Sequence, residues 1–378
     1  MPLFLKLFLY FLGTLGFTLA VVYLLLGFAK SLGIRSKNDI HVRWSNTTKP
    51  SLGGIAIFAS MFMAIVIYSI SHPTQNIFGV QRFLFFFLGV SLAFFMGLAD
   101  DAFNTKPLIK LLTQLLCGGS LVASNIIISI TDVLWIDGII TLIWVVGLMN
   151  SLNMLDNMDG ITASIATNIL LFLLAFSFFF TTPLLDVNTF IVIGLIGSLS
   201  GFLLVNAPPS KLFMGDSGSQ VIGYAVAYYS VYFLWVQDPG ATPAYVTTYV
   251  ALLILAIPFI DTFTVTFNRI KQGKSPAKGG KDHTTHHMVY RGFTERQTFI
   301  YYWLISFILG CFGLLIMYLY RHDFSFFSAL PIIPFFIAFY FLFRNTHVFK
   351  APKNPTHYKE WIKVKQENEK NNRLCKIT

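Results

Sequence analysis

Two adjacent carboxylates, Asp100 and Asp101, stand where an almost uninterrupted apolar run over residues 82–99 stops. A carboxylate is costly at the centre of a bilayer and is tolerated at its surface or in a wet cavity. A pair of them at such a surface suits divalent-metal binding or phosphate chemistry. Four further clusters extend the theme. Lys49-Pro50-Ser51-Leu52-Gly53-Gly54 combines a cation with paired glycines that permit close backbone approach. Asn150, Asn153, Asn157 and Gly160 follow a three-to-four spacing and Asp156 and Asp159 stand three apart, which on a helical end gathers amides and carboxylates on one or two adjacent faces. In Phe213-Met214-Gly215-Asp216-Ser217-Gly218, Asp216 lies between glycines where a helix starts, and helix N-termini favour anionic ligands. Lys281-Asp282-His283-Thr284-Thr285-His286-His287, continuing to Arg291, suits pyrophosphate better than zinc, since no Cys is near and the surrounding bases oppose a cation.

Each cluster has a plainer reading. Paired glycines serve helix packing, a single Asp or Ser caps a helix, and a basic loop is often just solvated. An EF-hand is excluded, because the twelve-residue spacing and terminal Glu are missing. Together, however, the clusters supply carboxylates and amides for Mg²⁺ and cations for phosphate. That inventory points to phosphoryl transfer between a nucleotide-activated donor and an acceptor resident in the membrane.

The elements that must position these residues are membrane helices. The chain of 378 residues is 55% hydrophobic and 12% charged, against about a quarter charged in soluble domains. Runs of roughly 20 apolar residues, enough to span, recur near 4–29, 51–71, 82–99, 107–129, 134–152, 160–181, 189–207, 218–236, 245–268, 298–320 and 326–344. The opening run is too long for a signal peptide and lacks a small-residue cleavage site, so it reads as an anchor. The expected fold is all-α and polytopic, with about eleven transmembrane helices in one domain over 1–344 and a basic tail over 345–378.

Eleven spans put alternate loops on opposite sides. One set of loops holds 24 of the 27 Lys and Arg residues, leaving Lys6, Arg82 and Arg321 for the other. Basic residues concentrate in cytoplasmic loops, which predicts an outward N-terminus, a cytoplasmic C-terminus and all five clusters on the cytoplasmic face. The net charge of +10 therefore records orientation, and no nucleic acid is expected as a partner. The Lys-rich tail is expected to lie on anionic membrane lipids. Cys117, Cys311 and Cys375 form neither a metal pattern nor an even disulfide set.

Over residues 45–292 the five clusters, in this order, resemble the polyprenyl-phosphate N-acetylhexosamine-1-phosphate transferases. The resemblance implies transfer of a sugar-1-phosphate from a UDP-sugar to polyprenyl phosphate with release of UMP, in the plasma membrane, with Mg²⁺ (or Mn²⁺) as cofactor. It implies Asp216 as a metal ligand with Asn153 or Asp101, and Asp100 as the group that accepts or positions the proton of the lipid phosphate. Phe213, Asp156 and Asp159 would shape the uridine pocket, with Asn150 among the substrate-binding amides. Lys49, Lys110, His286, His287 and Arg291 would hold pyrophosphate charge. Two departures stand out: Asn157 occupies a position where many relatives have Gly, and the usual His-x-His-His becomes His283-Thr-Thr-His286-His287. The absence of Pro before an unbroken His run favours a UDP-N-acetylhexosamine such as UDP-GlcNAc over the muramoyl-pentapeptide donor. A homodimer is a further expectation, since many relatives pair. A transporter would place its site near the midplane in repeated halves, whereas these clusters gather at one face and no internal repeat is evident.

Overall fold

The computed structural model describes residues 2–31, 49–73, 76–131, 133–181, 186–237, 242–276, 279–324 and 328–350. Helices account for the regular structure, and no strand occurs among the described residues. Composition explains this: in hydrocarbon each backbone amide must be satisfied within the structure itself, and a helix does so within its own segment. The helices are α1 (Leu3–Ser31), α2 (Gly53–Ser71), α3 (Gln81–Phe103), α4 (Pro107–Ala123), α5 (Leu134–Leu155), α6 (Ile161–Phe180) and α7 (Val187–Asn206). They continue as α8 (Gly215–Val231), α9 (Ala244–Ile254), α10 (Ala256–Lys271), α11 (Thr284–Arg291), α12 (Glu295–Arg321) and α13 (Ile333–Val348).

Every apolar run read from the sequence contains a helix, and the chain is an all-helical, multi-pass membrane protein. Length and apolarity alone qualify seven helices as spans, or eight when α9 and α10 are taken as one bent span. The difference from eleven has physical causes. Helices α4 and α13 have only 17 and 16 residues, and α8 carries Gly, Ser, Gln and Tyr along its length. Helix α13 also runs past residue 344 to Val348. Most of the tail, residues 351–378, and the basic stretch 32–48 lie outside the described residues.

Helix α8 is the axis of the bundle and packs against α2, α3, α5 and α6. From Gly215 to Val231 every residue except Asp216 is buried. The lipid-facing surface is instead apolar, with Phe4 and Leu24 of α1 and Leu108, Leu112 and Leu116 of α4 exposed. Small residues let such helices approach closely, because lipid removes the hydrophobic drive between them. A Cβ at Gly97 of α3 would stand 2.4 Å from the Asp216 carbonyl oxygen. One at Gly54 of α2 would stand 2.2 Å from the Gly218 nitrogen. Both crossings clamp the start of α8, where the polar clusters meet.

Helices α9 and α10 bend by 76°. Pro258 explains the break, since it has no N–H for the Ile254 carbonyl and its ring crowds the preceding turn. The bend carries α10 beside α5, α11 and α13. The short helix α11 lies within what the sequence presents as a basic loop; Gly292, at φ 121°, ends it.

Gly97→Val is expected to cost about 1–3 kcal/mol or more through overpacking, read as a lower melting temperature in detergent. Gly119→Ala is the control, because its added methyl meets nothing within 4 Å. Equal melting of Gly97→Val and wild type would contradict the tight α3–α8 crossing.

Candidate active site

The site is built around the first turn of α8. Asp101, in the last turn of α3, accepts from the Asp216 N–H through Oδ1 at 2.8 Å and from the Ser217 N–H through Oδ2 at 3.0 Å. It thereby caps α8 from a neighbouring helix, an arrangement favoured by the positive end of the helix dipole. Gly215 turns into the helix at φ 76°, a conformation that glycine adopts freely. The segment ahead of α2 pairs with this turn through its backbone. The Phe213 N–H donates to the Pro50 carbonyl at 3.0 Å, and the N–H groups of Gly53 and Gly54 donate to the carbonyls of Phe213 and Met214 at 3.0 and 2.8 Å.

Asp216 sits among side chains from three other helices. Lys110, in the first turn of α4, is ion-paired with Asp100 and lies 3.2 Å from Asp216 Oδ2. Asn153, near the end of α5, donates through Nδ2 to Asp216 Oδ1 at 3.1 Å and to Ser219 Oγ at 2.9 Å. Asp100 Oδ1 accepts from both the N–H and the hydroxyl of Thr105 at 2.7 Å. The Asp100 side chain has no exposed surface, whereas that of Asp216 is 22% exposed, so Asp216 is the carboxylate a ligand can reach. One turn deeper, Asn150 and Gln114 exchange amide hydrogen bonds at 2.8 and 3.2 Å, and Gln114 donates to Gln220 at 3.3 Å. These amides satisfy one another in a buried layer beneath the charges.

A second group lies beside the first. Lys49 Nζ donates to Asp159 Oδ2 at 3.1 Å and to Ser210 Oγ at 2.9 Å, and the Ser210 N–H donates to the same Asp159 oxygen at 3.0 Å. The ammonium also lies 5.0 Å from the Phe213 ring centroid, within cation–π range. Phe213 therefore presents an aromatic face, and here that face meets Lys49. Asp156 is the C-cap residue of α5 and is half-buried. Asn157 donates to the Met154 carbonyl at 3.0 Å and accepts from the Thr285 hydroxyl at 2.6 Å, joining the end of α5 to α11.

Helix α11 departs most from the expectation of an open phosphate-binding loop. His286 is fully buried, and its Nδ1 accepts from the His283 N–H at 3.3 Å. His287 Nδ1 is hydrogen-bonded to the Phe349 carbonyl, which obliges it to donate. Burial holds both imidazoles below the ordinary histidine range, His286 well below it. Arg291 lies 5.9, 5.0 and 5.5 Å from the ring centroids of Phe293, Phe341 and Phe349. The contacts described for His287 and Arg291 are with Tyr290, Phe293, Phe341 and Phe349, at α11 and the end of α13.

Several supporting residues escape a reading of motifs. Asp261 of α10 is buried; its Oδ1 accepts from the Thr284 N–H and hydroxyl at 2.8 and 2.6 Å, and its Oδ2 lies 2.8 Å from His283 Nδ1. Arg269 grips Asp282 with two hydrogen bonds of 2.8 and 2.7 Å. That guanidinium outweighs the effect of burial and holds the Asp282 carboxyl below its usual range. A lone carboxylate inside an apolar run is the signal that marks Asp261. Thr105 and Ser210 carry no such signal.

Among the described residues, no group of three or more His, Cys, Asp or Glu stands close enough to enclose a metal. Mg²⁺ needs less from protein, taking one or two carboxylates and completing its shell with water and substrate phosphate. Asp216 fits that role, and Asn153 offers an amide oxygen beside it when its side chain turns over. Asp101 fits less well, because both of its oxygens serve the α8 amides.

The chain is also similar to known proteins. Residues 83–234, which hold Asp100, Lys110, Asn153 and Asp216, match glycosyl transferase family 4. A probable undecaprenyl-phosphate N-acetylglucosaminyl 1-phosphate transferase of Bacillus subtilis is 25% identical over 69% of this chain and 71% of its own length. A decaprenyl-phosphate N-acetylglucosaminephosphotransferase of Mycolicibacterium smegmatis is 26% identical over 78% and 79%. An undecaprenyl-phosphate alpha-N-acetylglucosaminyl 1-phosphate transferase of Haemophilus influenzae is 32% identical over the shorter span of 42% and 44%.

The neutral histidines have a consequence for stability. Once unfolded they titrate near 6.5, so below that pH the unfolded chain binds more protons than the fold does. The stability that depends on their neutrality is complete above about 6.5 and is lost as the pH falls beneath it. Melting temperature in detergent should therefore drop on acidification through 6.5, and less steeply in His286→Gln. An identical drop in that variant would contradict the burial of a neutral His286.

Proposed function

As a member of the polyprenyl-phosphate N-acetylhexosamine-1-phosphate transferases the chain is an enzyme, and we propose that it moves N-acetylhexosamine-1-phosphate from a UDP-sugar to undecaprenyl phosphate or a similar polyprenyl phosphate. UDP-GlcNAc is the donor we assign, because the relatives transfer N-acetylglucosamine 1-phosphate. UMP is the second product, and the reaction would open the synthesis of a cell-wall or surface polysaccharide. The observation that carries the reading is the convergence of Asp100, Lys110, Asn153 and Asp216, from four helices, at one end of an otherwise apolar bundle.

An oxygen of the lipid phosphate attacks the β-phosphorus of the donor. The bond from that phosphorus to the bridging oxygen breaks, and the oxygen leaves with UMP. The protein's task in such a transfer is positioning and charge stabilisation. Lys110 shares its ammonium between Asp100 and Asp216, and exchanges one carboxylate for a phosphate oxygen when substrate enters. Asp100, partly released, takes or positions the proton of the lipid phosphate. Lys49 and Asp159, with Phe213 and Asp156, border the nucleotide.

Asp100 and Asp216 share the ammonium of Lys110 and Asp101 adds a third carboxylate beside them, so a pyrophosphate needs further positive charge to settle there. Asp216, with Asn153, would hold Mg²⁺, which when bound neutralises phosphate oxygens and strengthens the electrophile. For topology we propose eleven spans, the N-terminus outside and the C-terminus in the cytoplasm, in the plasma membrane. The support is the one-sided distribution of 24 of the 27 basic residues and the position of the site at that same end.

The test is UMP release by purified protein with polyprenyl phosphate, Mg²⁺ and a panel of UDP-sugars, muramoyl-pentapeptide donor included. Turnover should need both lipid phosphate and metal, and chelation should stop it. Asp216→Asn should lower kcat by more than about 100-fold, while Lys110→Ala should chiefly raise donor KM. Near-normal turnover in Asp216→Asn, or silence of folded wild type toward every donor, would refute the reading.

A further inference from the structure

Helix α11 is fixed in place by charge that no substrate needs to touch. Asp261 captures the first backbone amide of α11 and the His283 ring, and Arg269 holds Asp282 immediately before it. One residue further on, Thr285 is completely buried and its hydroxyl donates to Asn157 Oδ1 at 2.6 Å. The other end of the Asn157 amide donates to the Met154 carbonyl at 3.0 Å, a carbonyl in the last turn of α5. Both ends of this amide are therefore committed, one to α11 and one to α5.

The segment so gripped carries the candidate site. Asn153 binds Asp216, Asp156 caps α5, and Asp159 receives Lys49 and Ser210. A side chain is required to make this tie, and a glycine at position 157 would make none. We propose that Thr285 and Asn157 are positioning residues, whose hydrogen bond sets the turn over residues 156–160, and with it Asp156 and Asp159, to receive the nucleoside of the UDP-sugar. The donor half of this statement rests on the function proposed above. In this role α11 acts as a strut behind the nucleotide site, and its histidines keep it packed instead of gripping phosphate. A buried polar tie of this kind fixes geometry only while every member is satisfied.

Thr285→Val removes the hydroxyl and keeps the shape, while Thr285→Ser keeps the hydroxyl. Leaving the Asn157 oxygen without its donor should raise donor KM about 10-fold. The KM for polyprenyl phosphate and kcat should stay within about twofold, and Thr285→Ser should behave like wild type. Hydrogen exchange without substrate gives a reading independent of turnover: amides over 156–160 should exchange faster in Thr285→Val and not in Thr285→Ser. Unchanged exchange in Thr285→Val, equal losses toward both substrates, or a serine variant as impaired as the valine one would each overturn the positioning role. Wild type inactive toward every UDP-sugar, with the exchange difference intact, would overturn the assigned reaction and the donor half of the claim.

Discussion

The first turn of α8 must start inside the bundle, and its amides have to be satisfied there. A helix leaves its first N–H groups without intrahelical partners, and such groups are costly away from water. Asp101 answers for two of them, with one carboxylate oxygen on each. This places a negative charge beside Asp100 and Asp216, and the ammonium of Lys110 then has to stand between those two. Glycines at positions 54 and 97 bring α2 and α3 close enough for the arrangement to close. The charged centre is thus a consequence of how one buried helix begins.

Much of this was legible in the sequence, because the chemistry needs residue types that an apolar chain otherwise avoids. Asp100 is marked by ending an apolar run, Asn153 by its spaced polar cluster and Asp216 by the glycines around it, while the family resemblance points to Lys110; the structure brings the four together. The division of labour within the Asp100-Asp101 pair was not legible. Adjacent residues on a helix point about 100° apart, so one meets Lys110 and the other the α8 amides. Asp261 carries a weaker signal, because it stands alone within an apolar run and not in a cluster at its end, although Pro258 and Asp261 together mark an unusual run. Helix α11 was hidden for another reason: it buries histidines and threonines, so no apolar pattern announces it.

The same distinction explains why the basic loop behaves differently from its charge. A protonated imidazole would attract pyrophosphate, but burial keeps His286 and His287 neutral, and Arg291 rests among three aromatic rings. Positive charge near the carboxylates comes from Lys110, with Lys49 in the neighbouring group, and each is already matched by acidic partners. A centre balanced in this way holds its shape without substrate, and an entering polyanion brings a need for added cation. That need is the electrostatic argument for the proposed Mg²⁺.

The most direct test of the account follows the oxygen atoms. Polyprenyl phosphate labelled with heavy oxygen in its phosphate is incubated with purified protein, Mg²⁺ and unlabelled UDP-GlcNAc, and both products are weighed by mass spectrometry. Attack by the lipid phosphate on the β-phosphorus predicts that all label stays in the lipid pyrophosphate and that UMP carries none. Label in UMP, or free sugar phosphate without a lipid-linked product, would contradict the proposed transfer.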